Sequence, residues 1–381
     1  MQAPSKISSF QPPKRILLGP GPSDVHQRVL DAMARPTIGH LDPCFSEMLE
    51  ELKTLLRYAF QTKNELTFAL SAPGMIGMES AFVNLVEPGD KVIVCSNGVF
   101  GRRMIENVLR CRGELVTVED AWGKPVDPQK LEDALKANPD TKVVAFVHAE
   151  TSTGAQSDAR LLTEIAHRHG ALVICDTVTS LSSTPVLVDE WGIDAIYSAS
   201  QKGLSCTPGL SPVSFGERAI AKIKQRKERV QSWFMDLSLI MSYWGEGKRT
   251  YHHTAPINAL YGLHEALVML AEEGLEARWQ RHMDCHLALV SGLDKLGLSL
   301  LVEAPYRLPQ LNVVVVPEGI NEAQLRSDLL QKHGIEVGAG LGDLAGKTIR
   351  IGLMGTSATQ QNVDTCLNAL REGLAAQNWR V

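Results

Sequence analysis

The sequence lacks the features that mark a membrane protein, a disulfide-rich protein or a nucleic-acid-binding protein. No stretch reaches the roughly 18 uninterrupted apolar residues that a membrane span needs. The seven cysteines are dispersed and include no CxxC pair, which indicates a reducing compartment and argues against a disulfide framework. The net charge of −5 gives no reason to expect nucleic acid or an anionic membrane as a partner. Because residues 1–13 also lack the apolar segment of a signal peptide, a cytoplasmic protein is expected.

Internal repeats, low-complexity tracts and a complete G-x-G-x-x-G fingerprint are missing as well. The last absence argues against a nucleotide-binding dehydrogenase, because that glycine pattern lets the backbone approach a pyrophosphate. What remains is an ordinary globular composition, with 44% hydrophobic and 21% charged residues. A chain of 381 residues with that composition suits two domains, one large and one smaller.

Apolar runs alternate with amphipathic stretches from Arg15 to about residue 255. This β/α alternation predicts a mainly parallel sheet that is covered by helices on both faces. The predicted strands are Thr67–Leu70, Lys91–Cys95, Glu114–Val118, Lys142–Val147, Leu172–Cys175, Ala195–Tyr197 and Pro212–Phe215. The predicted helices are Cys44–Phe60, Met75–Val86, Gly101–Arg112, Pro128–Ala137 and Ala159–His169.

A different pattern follows residue 255. Two long predicted helices, at Ile257–Glu273 and Leu275–Lys295, precede shorter strands and helices that alternate over the remaining residues. The predicted organisation is therefore an irregular N-terminal arm at residues 1–13 and a large domain at residues 14–256. A linking helix and a small C-terminal α/β domain are expected at residues 257–381.

The pair Asp176 and Lys202 carries the clearest chemical signal. Asp176 ends the predicted strand Leu172–Cys175, and Lys202 follows another strand among small polar residues. In parallel sheets, ligands bind beyond the carboxyl ends of the strands, so the two side chains could face each other across a cleft. Pyridoxal phosphate chemistry needs such a pair, since a lysine amine forms the Schiff base and an acidic group keeps the pyridine nitrogen protonated.

Three loops at predicted strand ends are candidate cofactor contacts, and each has an ordinary structural alternative. The segment Ser71–Met75 opens a helix and offers backbone N–H groups to a phosphate, although many strand–helix turns look alike. Phe100 lies between two glycines, where its ring could cover a cofactor or simply fill the core. The hydroxyls of residues 151–153 could bond a cofactor or form a Ser/Thr turn.

Two further segments suggest a small substrate. Arg350 lies in an apolar strand, so its guanidinium needs a carboxylate partner that is either structural or part of a substrate. The loop Gly19–Ser23 offers bare backbone, which fits either helix entry or close approach to a small substrate. His252 and His253 do not favour a metal, because adjacent side chains face different ways and no third ligand is spaced nearby.

These segments occur in the order found in a known family, and the chain resembles the fold-type I, pyridoxal-phosphate-dependent class V aminotransferases. Within them it is similar to the alanine–glyoxylate/serine–pyruvate aminotransferase group. The similarity covers nearly the whole chain and rests on Leu17–Ser23, Ala149–Gly154, Gln201-Lys202, Tyr251–Thr254 and Arg350–Gly355. It implies a large domain with a mainly parallel seven-stranded sheet, a smaller C-terminal α/β domain, and a homodimer.

The resemblance implies cofactor contacts residue by residue. Lys202 matches the Schiff-base lysine, Asp176 the partner of the pyridine nitrogen, and Val178 the apolar residue under the ring. The remaining cofactor contacts are matched by Thr151, Gln201, Pro73, Gly74, Met75 and Phe100. The animal members of the family have a serine at Pro73, a histidine at Met75 and a tryptophan at Phe100. Phosphate binding here is therefore expected to rest more on the backbone, and ring stacking on a smaller aromatic.

Other implied roles concern the substrate and the partner subunit. Tyr251 and Thr254 match residues that reach the cofactor phosphate of the neighbouring subunit, so the dimer is expected to share its active sites. Arg350 matches the arginine that binds the substrate carboxylate. Gly21 is expected to crowd the pocket in favour of small side chains, and His40 to help set donor choice. Related ureidoglycine–glyoxylate enzymes carry asparagine at the position of Tyr251, which argues against ureidoglycine as a substrate.

The implied activity is transfer of the amino group of a small amino acid, alanine or serine, to glyoxylate, giving glycine and a 2-oxo acid. A serine–glyoxylate or serine–pyruvate aminotransferase is the alternative, and the sequence does not rank these substrates. A desulfurase or kynureninase-type cleavage would use the same cofactor. A desulfurase needs a nucleophilic cysteine in a mobile loop, and no cysteine has that setting. A non-catalytic regulator with this fold would keep its function without Lys202.

Overall fold

A seven-stranded sheet forms the centre of the described chain, which comprises residues 8–244 and 250–379 of a computed structural model. The strands are β1 (Ile16–Leu17), β2 (Leu66–Leu70), β3 (Lys91–Ser96), β4 (Glu114–Glu119), β5 (Val143–Val147), β6 (Ala149–Glu150), β7 (Ala155–Gln156), β8 (Leu172–Asp176), β9 (Ala195–Tyr197), β10 (Ser211–Phe215), β11 (Ser299–Leu300), β12 (Leu311–Val315), β13 (Ile335–Glu336), β14 (Gly338–Ala339) and β15 (Thr348–Gly352).

The α-helices of these residues surround the sheets, and several begin at a side-chain cap. They are α1 (Gln27–Met33), α2 (Pro43–Phe60), α3 (Gly74–Leu85), α4 (Val99–Arg110), α5 (Pro128–Ala137), α6 (Ala159–Arg168), α7 (Val188–Trp191), α8 (Glu217–Lys224), α9 (Leu237–Trp244), α10 (Ile257–Glu273), α11 (Leu275–Asp294), α12 (Glu322–His333) and α13 (Gln360–Ala375). At α2, for example, the Asp42 side chain accepts from the backbone of Cys44, and Pro43 occupies the first turn. None of the helices in the described ranges is both long and apolar enough to cross a membrane.

The strand order of the large sheet is β2-β10-β9-β8-β5-β3-β4. The pairs β3–β4, β3–β5, β5–β8 and β8–β9 are parallel, whereas β10 runs antiparallel to both β2 and β9. The predicted α/β class with a mainly parallel seven-stranded sheet is therefore confirmed. The reversal at β10 is an added feature, because the apolar pattern of a buried strand is the same in either direction.

The register of the central strands brings their carboxyl ends to one edge of the sheet. Val147 at the end of β5 is paired with Asp176 at the end of β8, and Asp176 is paired with Tyr197 at the end of β9. Apart from Asp176, these strands consist of β-branched and other apolar residues, and all of them except Leu172 are buried. The polar segments that follow each strand consequently meet at that edge.

A smaller four-stranded sheet, β11-β12-β15-β14, has a hydrophobic core of its own. This core draws residues from α11, α12 and α13, whereas the apolar face of α10 belongs to the core of the large sheet. Strand β1 pairs in parallel with β13. In the sequence, β13 comes just before β14, the edge strand of the small sheet. The domain limits at residues 14–256 and 257–381 stay a prediction. Of the predicted arm, residues 8–13 are exposed and lack regular structure, and residues 1–7 lie outside the described residues.

Candidate active site

The carboxylate of Asp176 lies at the carboxyl end of β8 and is held by two hydrogen bonds. Its Oδ1 accepts from the backbone nitrogen of Val178 at 2.8 Å, and its Oδ2 accepts from the hydroxyl of Tyr197 at 2.9 Å. The residue is only 2% exposed. Burial raises the pKa of Asp176 to about 7, with the two hydrogen bonds acting in the opposite direction. A cationic group beside this carboxylate would lower that pKa and keep Asp176 ionised.

Lys202 lies in the loop that follows β9, facing the segment after β1. Its Nζ donates a hydrogen bond to the carbonyl oxygen of Pro20. Burial and the charge of Arg350 lower the pKa of Lys202 to about 8, while the charge of Asp176 acts in the opposite direction. A large fraction of the amine is therefore neutral near pH 8, which is the form that attacks a carbonyl carbon or takes up a proton.

The loop Gly19–Ser23 packs against this lysine. A Cβ atom on Gly21 would lie 2.6 Å from Nζ of Lys202, and the φ angle of Gly21 is +108°, so only glycine fits without strain. The hydroxyl of Ser23 donates to the carbonyl oxygen of Lys202 at 2.8 Å. The loop thus approaches the lysine closely and also fixes its backbone, whereas its approach to a small substrate stays a prediction.

The segment Ser71–Met75 leads into α3, whose N-terminus has the features of an anion site. The N-cap residue is Pro73, which makes no side-chain cap, and the backbone N–H groups of Gly74 and Met75 have no partner among the described residues, so they are open to a ligand. A Cβ atom on Gly74 would lie 2.7 Å from Cβ of Ala199, which brings this turn against the segment before Lys202. In that segment the buried Oε1 of Gln201 has no hydrogen-bond partner within the described chain.

Phe100 lies in the first turn of α4, and Arg103 of the same helix links it to Met75 in the first turn of α3. The guanidinium of Arg103 lies 4.8 Å from the centre of the Phe100 ring, and its Nη1 is 3.2 Å from the sulfur of Met75. Phe100 and Met75 are both partly exposed and pack at the margin of the large core. Val178 is also partly exposed and follows the Asp176 carboxylate directly.

Arg350 extends from β15 toward the turn after β6. Its Nη1 donates to the carbonyl oxygen of Thr151 at 3.2 Å, and its Nε donates to that of Ala339 at 2.7 Å. Burial lowers the pKa of Arg350 to about 10. No carboxylate of the described residues forms an ion pair with it, so the structural alternative is not found there and the guanidinium suits an incoming carboxylate. The hydroxyl of Thr151 forms a short hydrogen bond with that of Thr179.

Tyr251 and Thr254 lie on the surface, and the Tyr251 side chain is 65% exposed. The ring of His40 lies 5.5 Å from that of Tyr251. His253 is within 2.7 Å of the hydroxyl of Ser71, so this segment lies beside the N-terminus of α3 in its own chain. Contacts of these residues with Lys202 or Asp176 are not seen within the described chain. No group of three or more metal-ligating side chains occurs among the described residues.

The sequence reasoning missed three side chains. Tyr197 and Thr179 contact predicted site residues, and Glu150 is buried between two of the predicted loops. The alignment of predicted strand ends could have identified Tyr197. It is the last residue of a predicted strand, as Asp176 is the residue at which the preceding strand ends. Glu150 carried a signal too, since a charged residue inside the buried polar run Ala149–Gly154 requires several hydrogen-bond donors.

The assembled residues offer the groups that a phosphorylated pyridine aldehyde requires. Lys202 supplies an amine, Asp176 a buried carboxylate, and the first turn of α3 an open set of N–H groups. The open turn at Gly74 offers backbone donors to an anion, whereas the buried Oε1 of Gln201 is an acceptor that lacks a donor within the described chain. The residues present therefore fit pyridoxal phosphate, and Arg350 adds a cation that suits an α-carboxylate.

Known proteins share the sequence and the fold of this chain. A family model described as aminotransferase class-V matches residues 16–366. The alanine–glyoxylate aminotransferase of Oryctolagus cuniculus is 40% identical over 95% of this chain and 93% of its own length. The (S)-ureidoglycine–glyoxylate transaminase of Bacillus subtilis is 35% identical over 96% of this chain and 92% of its own. A solved structure of alanine–glyoxylate aminotransferase from Nostoc sp. gives a TM-score of 0.95 at 44% identity, with 97% of each chain covered.

Proposed function

This chain belongs to the aminotransferase class-V family and is a transaminase, and on that premise we propose that it transfers the amino group of alanine to glyoxylate with pyridoxal 5′-phosphate as cofactor. The observation that carries the proposal is the grouping of Lys202, Asp176 and Arg350. Asp176 and Lys202 each act on the pKa of the other, and burial together with the charge of Arg350, which has no ion-pair partner in the described chain, lowers the pKa of Lys202. Those three groups are what an amino-acid substrate and a pyridine cofactor require.

Pyridoxal phosphate, when bound, supplies an aldehyde carbon that takes up amino groups and a protonated ring that spreads negative charge. Asp176 would keep the ring nitrogen protonated, since a carboxylate next to a cation favours its charged form. Lys202, as a neutral amine, would accept the proton from Cα of the donor and, once protonated, would donate it to the carbon that the cofactor aldehyde supplies. Arg350 would bind the donor carboxylate and so fix the Cα–H bond relative to Lys202.

The remaining predicted contacts would hold the cofactor in place. The backbone N–H groups of Gly74 and Met75 would bind its phosphate at the N-terminus of α3, where the helix dipole favours negative charge. Gln201 would donate to the same phosphate through its side-chain amide. Phe100 and Val178 would cover the two faces of the ring, and the hydroxyl of Thr151 would bond its edge. The same residues would act in reverse when glyoxylate accepts the amino group and leaves as glycine.

The choice of a small donor is supported by the crowding around Gly21. Its backbone lies so close to Lys202 that a single added methyl group would overlap the amine. A donor with a large side chain would meet the same obstruction, whereas alanine presents one methyl group. Serine is the second candidate, since a hydroxymethyl group is only slightly larger, and serine–glyoxylate or serine–pyruvate transfer would then be the activity.

Initial rates would test the substrates directly. Purified protein with pyridoxal phosphate is assayed with alanine, serine, aspartate and phenylalanine, each against glyoxylate and pyruvate. We expect the highest kcat/KM for alanine with glyoxylate, and little turnover of the two larger donors. A higher value for serine would establish the second candidate. If none of the small donors reacts, the proposed substrates are wrong even where the protein binds the cofactor.

We also propose that the active enzyme is a homodimer in which Tyr251 and Thr254 reach the phosphate site of the partner subunit. The large exposed fraction of the Tyr251 side chain supports this, because an aromatic ring left in water suits an interface. The contact between His253 and Ser71 also brings the segment beside the α3 N-terminus, where a subunit boundary could run.

Subunit complementation would test the shared site. Lys202→Ala and Tyr251→Ala proteins, each impaired alone, are coexpressed with different tags, and the mixed dimer is purified. If Tyr251 serves the partner, one site of the mixed dimer contains both native residues, and activity is restored to that site. If Tyr251 serves its own chain, no site in the mixed dimer is intact and activity stays low, which would contradict the proposal.

A further inference from the structure

The side chain of Glu150 is fully buried, and it acts only as a hydrogen-bond acceptor in the described chain. Its Oε1 accepts from the backbone nitrogen and the hydroxyl of Ser152, at 3.0 and 2.6 Å. Its Oε2 accepts from the backbone nitrogens of Phe100 and Gly101, at 3.2 and 3.4 Å. Burial raises the pKa of Glu150, and the four donors counter that effect. An arrangement of donors alone favours the ionised carboxylate.

The Oε2 atom of this carboxylate caps the N-terminus of α4. The N-cap residue Gly98 has no side chain to bond the first turn, so Glu150 from another segment satisfies the N–H groups of Phe100 and Gly101. A negative charge at that end of the helix is favourable for the helix dipole. The orientation of the first turn, which carries the Phe100 ring, therefore depends on where Glu150 is held.

The Oε1 atom of the carboxylate fixes the turn to which Arg350 donates a hydrogen bond. Glu150 and Ser152 flank Thr151, and the carbonyl oxygen of Thr151 accepts the hydrogen bond from Arg350. The hydroxyl of Ser152 also accepts from the backbone nitrogen of Val99 at 3.0 Å, which joins this turn to α4 a second time. The two predicted contact loops are thus fastened to each other through one carboxylate and one hydroxyl.

Gly98 leaves the space that this arrangement needs. A Cβ atom at that position would lie 2.5 Å from Cγ and Cδ of Glu150 and from the hydroxyl oxygen of Ser152. No side chain larger than hydrogen can stand there while the carboxylate reaches the helix. The φ angle of Gly98 is 176°, which any residue adopts, so it is the space and not the backbone angle that requires glycine.

We propose that Glu150 is a positioning residue that fixes Phe100 and Arg350 relative to each other through its buried carboxylate. The inference rests on the proposed function, in which Phe100 covers the cofactor ring and Arg350 binds the donor carboxylate. Glu150 itself contacts the backbone at both loops and takes no part in proton transfer. Its carboxylate sets the distance and angle between the site of the ring and the site of the donor carboxylate, and its charge also counters the burial that lowers the pKa of Arg350.

Glu150→Gln is the direct test, because glutamine has the same shape but its amide nitrogen accepts no hydrogen bond. In the variant, the amide nitrogen points either at the two donors of Ser152 or at the backbone N–H groups of Phe100 and Gly101. Those two donors then have no acceptor. We expect the KM for the amino donor to rise about tenfold or more, with a smaller change in kcat. In the cofactor-free protein, hydrogen exchange in a peptide that covers residues 97–104 should become about tenfold faster. The circular dichroism of the bound cofactor should also change, since it reports how the ring is seated.

Two further variants control the test. Glu318→Gln makes the same chemical change at an exposed position after β12. It should leave KM, hydrogen exchange and circular dichroism at wild-type values. Ser152→Ala removes only the hydroxyl, so it should shift the same three readouts in the same direction by a smaller amount. If Glu150→Gln does not fold, Ser152→Ala decides the question alone.

Unchanged KM and unchanged exchange in folded Glu150→Gln protein would overturn the proposal. So would a lower melting temperature with both readouts unchanged, because that result describes a residue with a purely structural role. A wild-type protein that transfers no amino group would overturn the proposed function. In that case the exchange measurement on cofactor-free protein decides whether Glu150 fixes the start of α4.

Discussion

The hydroxyl of Tyr197 donates a hydrogen bond of 2.9 Å to Asp176, and both side chains are buried at neighbouring strand ends. This contact is one of two that favour the carboxylate over the neutral acid against the effect of burial. A site that must keep a ring nitrogen protonated needs the carboxylate form. Tyr197 therefore supports the function of Asp176 without facing the substrate.

Tyr197→Phe should weaken cofactor binding. The variant keeps the ring that fills the core but leaves the Asp176 carboxylate with one donor, so the pKa of Asp176 rises further above its ordinary range. We expect the dissociation constant for pyridoxal phosphate to increase about tenfold, the size expected for one hydrogen bond to a charged group. Titration of cofactor-free protein followed by absorbance measures it. Tyr306→Phe, at a 39% exposed position, is the matched control. Equal affinities for the wild type and Tyr197→Phe would contradict the prediction.

Lys202→Ala should remove both the covalent attachment of the cofactor and the transfer reaction. Among the described site residues no other amine replaces the lost one, so the absorbance of lysine-bound pyridoxal phosphate, at the boundary between the ultraviolet and the visible range, should disappear. Activity should fall by at least about a thousandfold, because both the attachment and the proton transfer depend on this amine. Lys295→Ala, at an exposed position, should leave the spectrum and the rate unchanged. A wild-type spectrum in Lys202→Ala would rule out this assignment of the lysine.

The pH at which Lys202 reacts should be lower than for an ordinary lysine. Only the neutral amine attacks an aldehyde, so a lowered pKa moves the rise in reactivity to lower pH. With a pKa of about 8 for Lys202, attachment of pyridoxal phosphate to cofactor-free protein should rise with a midpoint at about pH 8 and level off above about pH 9. An unperturbed lysine would show that rise near pH 10. Absorbance at a series of pH values gives the midpoint.

Arg350 should control that midpoint, because its charge is among the causes of the lowered pKa of Lys202. Arg350→Gln removes the repulsion, so the midpoint should move to higher pH, and the KM for the donor should rise about a hundredfold through loss of the charged contact. Arg350→Lys keeps the charge, so the midpoint should stay near 8 while KM still rises. A midpoint that is the same in wild type and Arg350→Gln would show that burial alone lowers the pKa.

Gly21→Ala should damage the site beyond its cost in backbone strain. Gly89 is a matched control, since it also has a positive φ angle, +81°, but nothing lies within 4 Å of an added Cβ atom. Each alanine should lower the free energy of unfolding by about 1–2 kcal/mol through the left-handed backbone. Only Gly21→Ala should displace Lys202, with loss of cofactor attachment and activity. Thermal unfolding and initial rates separate the effects, and wild-type activity in Gly21→Ala would refute the close contact.

The sequence predicted the large sheet well because buried parallel strands are continuous apolar runs bounded by polar loops. Leu172–Asp176 and Val143–Val147 are examples, since their composition alone distinguishes them from the amphipathic helices that flank them. Strand direction was harder. The predicted strand Pro212–Phe215 looks the same in either direction, and its antiparallel pairing is decided by the course of residues 198–210.

The candidate site was predicted only where a side chain had a distinctive chemistry of its own. Asp176 and Lys202 stood out because a carboxylate and an amine at strand ends are expensive to bury. The acceptor for the lysine, the carbonyl oxygen of Pro20, is a backbone atom and has no signal in the sequence. Glu150 was passed over for a different reason: its four donors come from Ser152 and from the first turn of α4, and that meeting depends on the fold.

The pairing of β1 with β13 makes the surroundings of the lysine depend on both ends of the chain. The Gly19–Ser23 loop continues directly from β1, whose partner Ile335–Glu336 is synthesised more than three hundred residues later. The strands that end at Asp176 and Tyr197 can pair long before that point, since their contacts are local by comparison. During translation the carboxylate side of the site is therefore complete early, and the lysine gains its neighbours only when the last part of the chain leaves the ribosome. In a fragment that stops before residue 335, we expect Asp176 to keep its position, whereas Lys202 would lack the ordered Gly19–Ser23 loop beside it.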